Sequence, residues 1–247
     1  MSFEKFAKGM VVALASAAVA ACSAQYSNND FDGVPLAELD TSGPAPDTVS
    51  LAGPDSVEVR TGDVFTIAVD GDEDAVDLLR FALDGSNLKI GRANGVSKSK
   101  AIVRITMPSL QAIALGGSGT VDADRMTGNN RIAIGGSGTA KVAQVDSQTL
   151  KIAIGGSGSA DISGRTEALN LAIGGSGSGR MAGLEAKTAK LSIAGSGDAK
   201  FASDGTVDAN IAGSGDVTVI GSAVCKVRAV GSGTLTCKPG RTPADEA

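Results

Sequence analysis

The chain of 247 residues contains no histidine and no tryptophan. Without an imidazole there is no Ser-His-Asp or Cys-His catalytic arrangement, no His-ligated zinc, and the commonest general base is missing. Aromatic side chains number only seven, six Phe and one Tyr, too few for the stacking platforms that bind single-stranded nucleic acid. The same scarcity weakens any sugar site built on aromatic faces. Basic charge is not in excess: 22 Lys and Arg face 27 Asp and Glu, a net charge of −5, whereas nucleic-acid-binding domains are usually basic. No phosphate loop is present, because no Gly-Lys-Ser/Thr follows any of the glycine-rich turns. The apolar run from Met10 to Ala21 has 12 residues, where a membrane-spanning helix needs about 20.

Glycine is abundant, at 34 residues, and it is periodic. A Gly-Ser-Gly turn recurs at Gly117-Ser118-Gly119, Gly136-Ser137-Gly138, Gly156-Ser157-Gly158, Gly175-Ser176-Gly177, Gly195-Ser196-Gly197, Gly213-Ser214-Gly215 and Gly231-Ser232-Gly233, in steps of 19, 20, 19, 20, 18 and 18 residues. A fixed period in this range is the signature of a solenoid. Four residues before each turn stand Ile113, Ile132, Ile152, Leu171, Leu191, Ala209 and Val227; two before it stand Leu115, Ile134, Ile154, Ile173, Ile193, Ile211 and Ala229. Small or polar residues separate the two columns, so each segment alternates with period two, as a strand with one apolar face does. After the turn two more inward columns resume, beginning at Val121 and Ala123.

One coil cannot bury such a face, but stacked coils can, each pairing with the next about 4.8 Å away. The expected fold is all-β: a single-stranded, right-handed parallel β-helix with coils of about 18–20 residues. Seven coils over residues 111–237 would stand about 34 Å tall at that spacing. Residues 50–110, which alternate less regularly, read as an irregular β N-terminal cap and first layers, because terminal repeats are atypical. Within them Phe81 to Ile90 reads as a hairpin around Asp84-Gly85, and Glu73 to Arg80 as a short helical or irregular crossing. The turn glycines have a structural explanation: a tight corner calls for positive φ, and stacked corners leave no room for Cβ atoms.

The first residues read as an address. Lys5 and Lys8 precede the short apolar run, giving a signal peptide over residues 1–21. The run ends in Val19-Ala20-Ala21-Cys22, which resembles a bacterial lipobox, with Cys22 the lipidated residue; the alternative is cleavage nearby with Cys22 left as a thiol. Ser23 is not the aspartate that typically retains such lipoproteins in the inner membrane, so the resemblance implies an outer-membrane lipoprotein. Residues 22–49, with Pro35, Pro44 and Pro46, then form a lipid-anchored linker. Removing Glu4, Lys5 and Lys8 with the signal leaves a mature charge of −6. Of the three cysteines, Cys225 and Cys237 fall on inward columns of the last coil, one on each side of its turn. In an oxidising compartment they are expected to form a disulfide, the alternative being two buried thiols. Residues 238–247 carry Pro239, Pro243 and charge and read as a disordered tail.

Val57-Glu58-Val59-Arg60-Thr61-Gly62-Asp63, then Asp84-Gly85-Ser86-Asn87-Leu88-Lys89-Ile90, then Ile105-Thr106-Met107-Pro108-Ser109-Leu110, followed by the repeated turns, together resemble the auto-transporter adhesin head called the GIN domain, over residues 50 to 237. The resemblance implies an exported, often lipid-anchored β-helical domain with an adhesive role and no catalytic residues to carry over. The sequence has no long run of alternating amphipathic strands that would read as a translocating barrel.

Three outward columns could carry chemistry. The first holds Asp122, Lys141, Asp161, Arg180 and Lys200; β-helical polysaccharide lyases work with such carboxylates and basic groups, but alternating charge is equally what a solvated face adopts. The second follows the turn as Thr120, Thr139, Ser159, Ser178, Asp198, Asp216 and Thr234. Its Asp198 and Asp216 share part of the calcium-binding nonapeptide pattern and are the calcium candidates, although the second glycine-aspartate turn of that pattern is missing. The third holds Ala112, Arg131, Lys151, Asn170, Lys190, Asp208 and Lys226 beside a flat column of Ala114, Ala133, Ala153 and Ala172; its Arg131, Lys151, Asn170, Lys190 and Lys226 are the candidate binding face for an anionic envelope or host glycan or a protein surface. The expectation is a non-enzymatic adhesin or envelope-interaction module without a cofactor or nucleic-acid partner, attached to the membrane through its lipid. A periplasm-facing structural or polysaccharide-binding lipoprotein is the alternative, and a β-helical lyase ranks below it.

Overall fold

The computed structural model describes residues 33–95 and 97–238. Residues 1–21, read from sequence as a signal peptide, Cys22, the expected lipidation residue, and residues 239–247 of the expected tail lie outside the described residues. In chain order the strands begin with β1 (Thr48–Leu51), β2 (Ser56–Thr61) and β3 (Thr66–Asp70), then the short helix α1 (Glu73–Val76), β4 (Leu79–Asp84), β5 (Asn87–Arg92), β6 (Ile102–Met107) and β7 (Ala112–Leu115). Long strands follow as β8 (Thr120–Ile134), β9 (Thr139–Ile154), β10 (Ser159–Gly175) and β11 (Ser178–Gly195), and shorter ones as β12 (Asp198–Ala202), β13 (Thr206–Gly213), β14 (Asp216–Ile220), β15 (Val224–Gly231) and β16 (Thr234–Lys238).

From β7 onward the chain is the expected stack of parallel coils. Ile113 pairs with Ile132, Ile132 with Ile152, Ile152 with Leu171, Leu171 with Leu191, Leu191 with Ala209 and Ala209 with Val227, so the apolar columns align rung on rung. These side chains fill one continuous core, in which Ile132, Ile152, Leu171 and Leu191 are at most 2% exposed. Burying a residue of this size is worth about 1.5–3 kcal/mol, and each rung repeats it. Two core columns go beyond those expected. One, six residues before the turn, holds Leu150, Leu169, Ala189 and Val207; the other lines the far bend with Met126, Val145 and Leu184. Asn130 occupies the first of these columns: its Nδ2 donates to Thr127 O at 3.1 Å, and its Oδ1 is the one buried side-chain atom without a hydrogen-bond partner among the described residues.

The corners stack as steric reasoning requires, with one difference. A Cβ on Gly136 would lie 2.5 Å from Gly117 O, one on Gly156 2.6 Å from Gly136 O and one on Gly195 2.4 Å from Gly175 O. Positive φ, however, is confined to Gly175, Gly195, Gly213 and Gly231 among the turn glycines. In the first three corners it is therefore the neighbouring backbone, not the dihedral, that demands glycine.

The cap departs from chain order. The layer directly beneath β7 and β8 is β1 and β2: Val49 pairs with Ile113, Leu51 with Leu115 and Val57 with Val121, all parallel. Beneath that layer lie β5 and β6, pairing in parallel with β1 and β2. The strand that leads covalently into the first coil is thus one layer further away than sequence order suggests. β4 closes one sheet as an antiparallel edge on β5, through the hairpin expected at Gly85, and β3 closes the other on β6. Helix α1, between them, buries Ala75 at this end. The linker boundary also shifts, since Val49 is already a core residue and Val34 bridges to Phe81 in both directions.

At the opposite end Cys225 and Cys237 form a disulfide across the final coil, with their Cα atoms 6.8 Å apart. Lys238, assigned to the tail from sequence, is the last residue of β16. Among the described residues no helix is long and apolar enough to cross a membrane.

Candidate binding groove

Parallel pairing turns each outward position into a straight column, and the columns differ in how they dispose of charge. Beside the turn exit, Glu58, Asp122, Lys141, Asp161, Arg180 and Lys200 stand in register on successive strands. Arg180 Nε reaches Asp161 Oδ1 at 2.6 Å, Arg60 reaches Asp122 at 3.0 Å, and Arg104 approaches Glu58 at 3.5 Å. At the far bend, Arg165 pairs with Asp146 at 2.9 Å and Lys187 with Glu167 at 2.7 Å. The hydrogen bond from Arg165 holds the Asp146 carboxyl below the usual carboxylate range, and Asp146 in turn raises the guanidinium. These columns neutralise themselves across rungs, and the carboxylates a lyase would need are occupied in them.

The column of Arg131, Lys151, Asn170 and Lys190 behaves otherwise. Arg131 pairs in register with Lys151, Lys151 with Asn170, and Asn170 with Lys190; the first carboxylate in the column is Asp208, one rung beyond. Arg131, Lys151 and Lys190 are exposed and take part in none of the ion pairs among the described residues. Like charges opposite one another on adjacent strands cost on the order of 0.2–1 kcal/mol per pair; Arg131 and Lys151 have no carboxylate on an adjacent rung of this column, and Lys190 alone adjoins one, Asp208, with which it forms no ion pair. Two residues along each strand, Ala114, Ala133, Ala153 and Ala172 stack in register, followed by Ser192 and Asn210. Small side chains beside long ones leave an open groove of about 330 Å³, bounded by Arg131, Lys151, Asn170, Lys190 and Asn210 and floored by Ala153 and Ala172.

Four of the five residues singled out from sequence therefore line one groove. Lys226 does not: it sits in the terminal coil, on the other side of Asp208. The calcium candidates are engaged elsewhere, with Asp198 accepting the Asp216 backbone N–H at 2.9 Å and Asp216 accepting the Thr234 hydroxyl at 2.6 Å. Among the described residues no three His, Cys, Asp or Glu side chains gather as a metal site. A second concavity, of about 650 Å³, opens at the far bend between Asp146, Gln148, Arg165, Glu167, Glu185 and Lys187. It is not among the sequence-derived candidates above, although its signal is present: Asp146, Arg165 and Glu185 recur at steps of 19 and 20 residues. Its charges are largely paired with one another, so it lacks the uncompensated potential of the alanine groove.

No curated protein matches the sequence. Among solved structures, a "putative adhesin" from Bacteroides fragilis superposes with a TM-score of 0.69 at 21% identity, covering 79% of this chain and 93% of that one. A "putative lipid binding protein" from Parabacteroides distasonis gives 0.62 at 21% identity over 78% and 92% of the two chains, and a "putative adhesin" from Parabacteroides merdae 0.60 at 17% identity over 80% and 93%. At such identities the likeness establishes the fold. The family described as "putative auto-transporter adhesin, head GIN domain" matches residues 45–223, and the chain belongs to that family.

Proposed function

We propose that the protein is an exported, non-enzymatic adhesion module of the cell envelope, held at the outer membrane by lipid on Cys22, and that it grips an anionic glycan in the Arg131–Lys190 groove. The observation that carries this reading is the contrast between columns: every carboxylate named along the turn exit has a cation in its own or a neighbouring column, whereas Arg131 and Lys151 have no carboxylate in register beside them and Lys190 meets only Asp208 at the groove's end, without an ion pair. An extended polyanion lying along the solenoid axis would meet Arg131 and Lys151 one rung apart, about 4.8 Å, and Lys190 two rungs further, about 10 Å. The alanine floor lets a flat chain approach the strand backbone, Asn170 adds a hydrogen-bonding amide between Lys151 and Lys190, and Asn210 adds another one rung past Lys190. Membership in an adhesin-type family and the absence of histidine support a binding role over a catalytic one.

Two experiments test this reading. Purified protein passed over immobilised polyuronate and over neutral glucan should be retained by the first alone and eluted by salt, because the attraction is electrostatic and screened. Equal retention on both would dismiss the groove as an anion site. In cells, protease added before lysis should remove a C-terminal tag if the domain faces outward. Protection until lysis would place the domain in the periplasm and end the adhesion reading.

A further inference from the structure

The two ends of the solenoid are unlike each other in a complementary way. Of the five large hydrophobic side chains that stand exposed among the described residues, three lie on the last coil: Val224 at 64%, Val227 at 50% and Val230 at 78%. All three belong to β15, whose one strand partner is β13, so its outer edge presents unpaired backbone groups as well as apolar surface. β16, paired only to β14, ends the other sheet in the same way. The remaining two, Val34 and Val64, lie at the opposite end, Val34 against edge strand β4 and Val64 just ahead of edge strand β3.

Charge divides along the same axis. Residues 221–238 contain Lys226, Arg228 and Lys238 and no acidic residue. Residues 62–84, which form the β3–α1–β4 end layer, contain seven acidic residues and one basic residue. Asp63, Asp72, Glu73, Asp74 and Asp77 of this layer are exposed and join none of the ion pairs among the described residues. The basic coil also lies past residue 223, where the family match ends. An open coil end is normally capped by a polar layer to keep solenoids from stacking; this one instead leaves Val227 of the inward column uncovered, with Val224 and Val230 beside Lys226 and Arg228 on the outward face of the same strand.

We propose that the protein stacks end to end with second copies of itself, the basic open coil of β15 and β16 in one copy seating on the acidic β3–α1–β4 cap of the next. The occupant follows from the complementarity: the cap offers the opposite charge, exposed Val64 and the free edge of β3. Such a contact is heterologous and does not close, so it generates a linear array and not a symmetric dimer. The array would carry successive grooves along one common axis.

Sedimentation velocity on the intact mature chain tests this across protein concentration, in low and in high salt. The expected result is a weight-average mass that rises roughly twofold or more in low salt and returns to monomer in high salt. Two charge-reversed variants then locate the contact: Arg228→Glu with Lys238→Glu, and Asp72→Lys with Asp74→Lys. All four residues are exposed and outside the groove, so this result stands apart from the glycan test. Each variant alone should associate more weakly than the wild type, since two charges at one end are reversed, and an equimolar mixture, in which the unaltered coil of one variant meets the unaltered cap of the other, should associate again. That recovery separates a broken interface from a broken fold. A wild type that stays monomeric in low salt, variants that associate as the wild type does, or a mixture that remains monomeric would each overturn the proposal.

Discussion

Asp55, which has no exposed surface, receives Arg92 through both Nε and Nη2, the first at 2.7 Å, together with the Ala101 backbone N–H at 2.8 Å. The pair sits where the column of corner glycines ends. Gly119 N donates to Gly53 O and Thr120 N to Asp55 O, so residues 53–55 take the place of a Gly-Ser-Gly turn in the layer below. In the next layer down the chain leaves β5 at Arg92, and the guanidinium closes the corner from beneath. Removing one partner of a buried ion pair strands the other, at about 3–5 kcal/mol. Asp55→Ala is therefore expected to lower the melting temperature by several degrees, at about 2–4 °C per kcal/mol for a chain of this size, and to loosen β1, β2, β5 and β6 first, as read by amide exchange. Unchanged protection of Ala101 would refute this.

The corner glycines give a sharper steric test. Alanine at Gly156 would place its Cβ 2.6 Å from the Gly136 carbonyl, and this is backbone that cannot swing aside. Overpacking of this kind costs about 1–3 kcal/mol. Gly43, with nothing within 4 Å of its built Cβ, is the matched control: Gly43→Ala should leave urea denaturation unchanged while Gly156→Ala shifts the midpoint down.

Acid should weaken the fold in a defined window. The hydrogen bond from Arg165 lowers Asp146, the Ser222 backbone N–H lowers Asp204, and the Lys89 hydrogen bond lowers Asp84. A carboxyl that is more acidic folded than unfolded adds stability that is present above the unfolded value, near about 3.9, and lost as pH falls through the folded one. Stability should be flat from neutral pH down to about 5 and decline below about 4. Asp204→Asn should flatten part of that decline in denaturation curves taken against pH; an identical acid limb would contradict the assignment.

Reducing the Cys225–Cys237 bridge, which closes a loop of 12 residues in sequence separation, should cost about 3 kcal/mol. The loss belongs to the last coil, so exchange protection in β15 and β16 should fall while β9 and β10 keep theirs. Loss spread evenly along the solenoid would instead mean that the coils unfold as one unit.

Much of this architecture is legible in the residues. The aligned columns through Ile132, Ile152 and Leu171 follow from period-two alternation counted from each turn, the hairpin at Gly85 from its Asp84-Gly85 turn, and the Cys225–Cys237 pair from inward positions in a chain expected to meet oxidising conditions. The layer formed by β1 and β2 obeys the same spacing, with Val49 and Leu51 four and two residues before Gly53 and Val57 and Val59 four and six after it. It escapes notice because Pro54-Asp55 replaces Ser-Gly. Its place between β5–β6 and the first coil is not written in any local pattern, since every strand in the stack offers the same apolar face. The groove was legible as a column of cations beside alanines, but its distinction from the other charged columns rests on which side chains meet across rungs, and that required coordinates.

The central claim is that uncompensated cations over the alanine floor make the binding site. Isothermal titration of a polyuronate oligomer into the wild type and into a variant carrying Arg131→Glu, Lys151→Glu and Lys190→Glu measures this directly, with Lys187→Glu, a far-bend cation paired to Glu167, as control. The account predicts at least a tenfold loss of affinity, about 1.4 kcal/mol, in the triple variant and little change in the control. Equal affinity in all three proteins would contradict it.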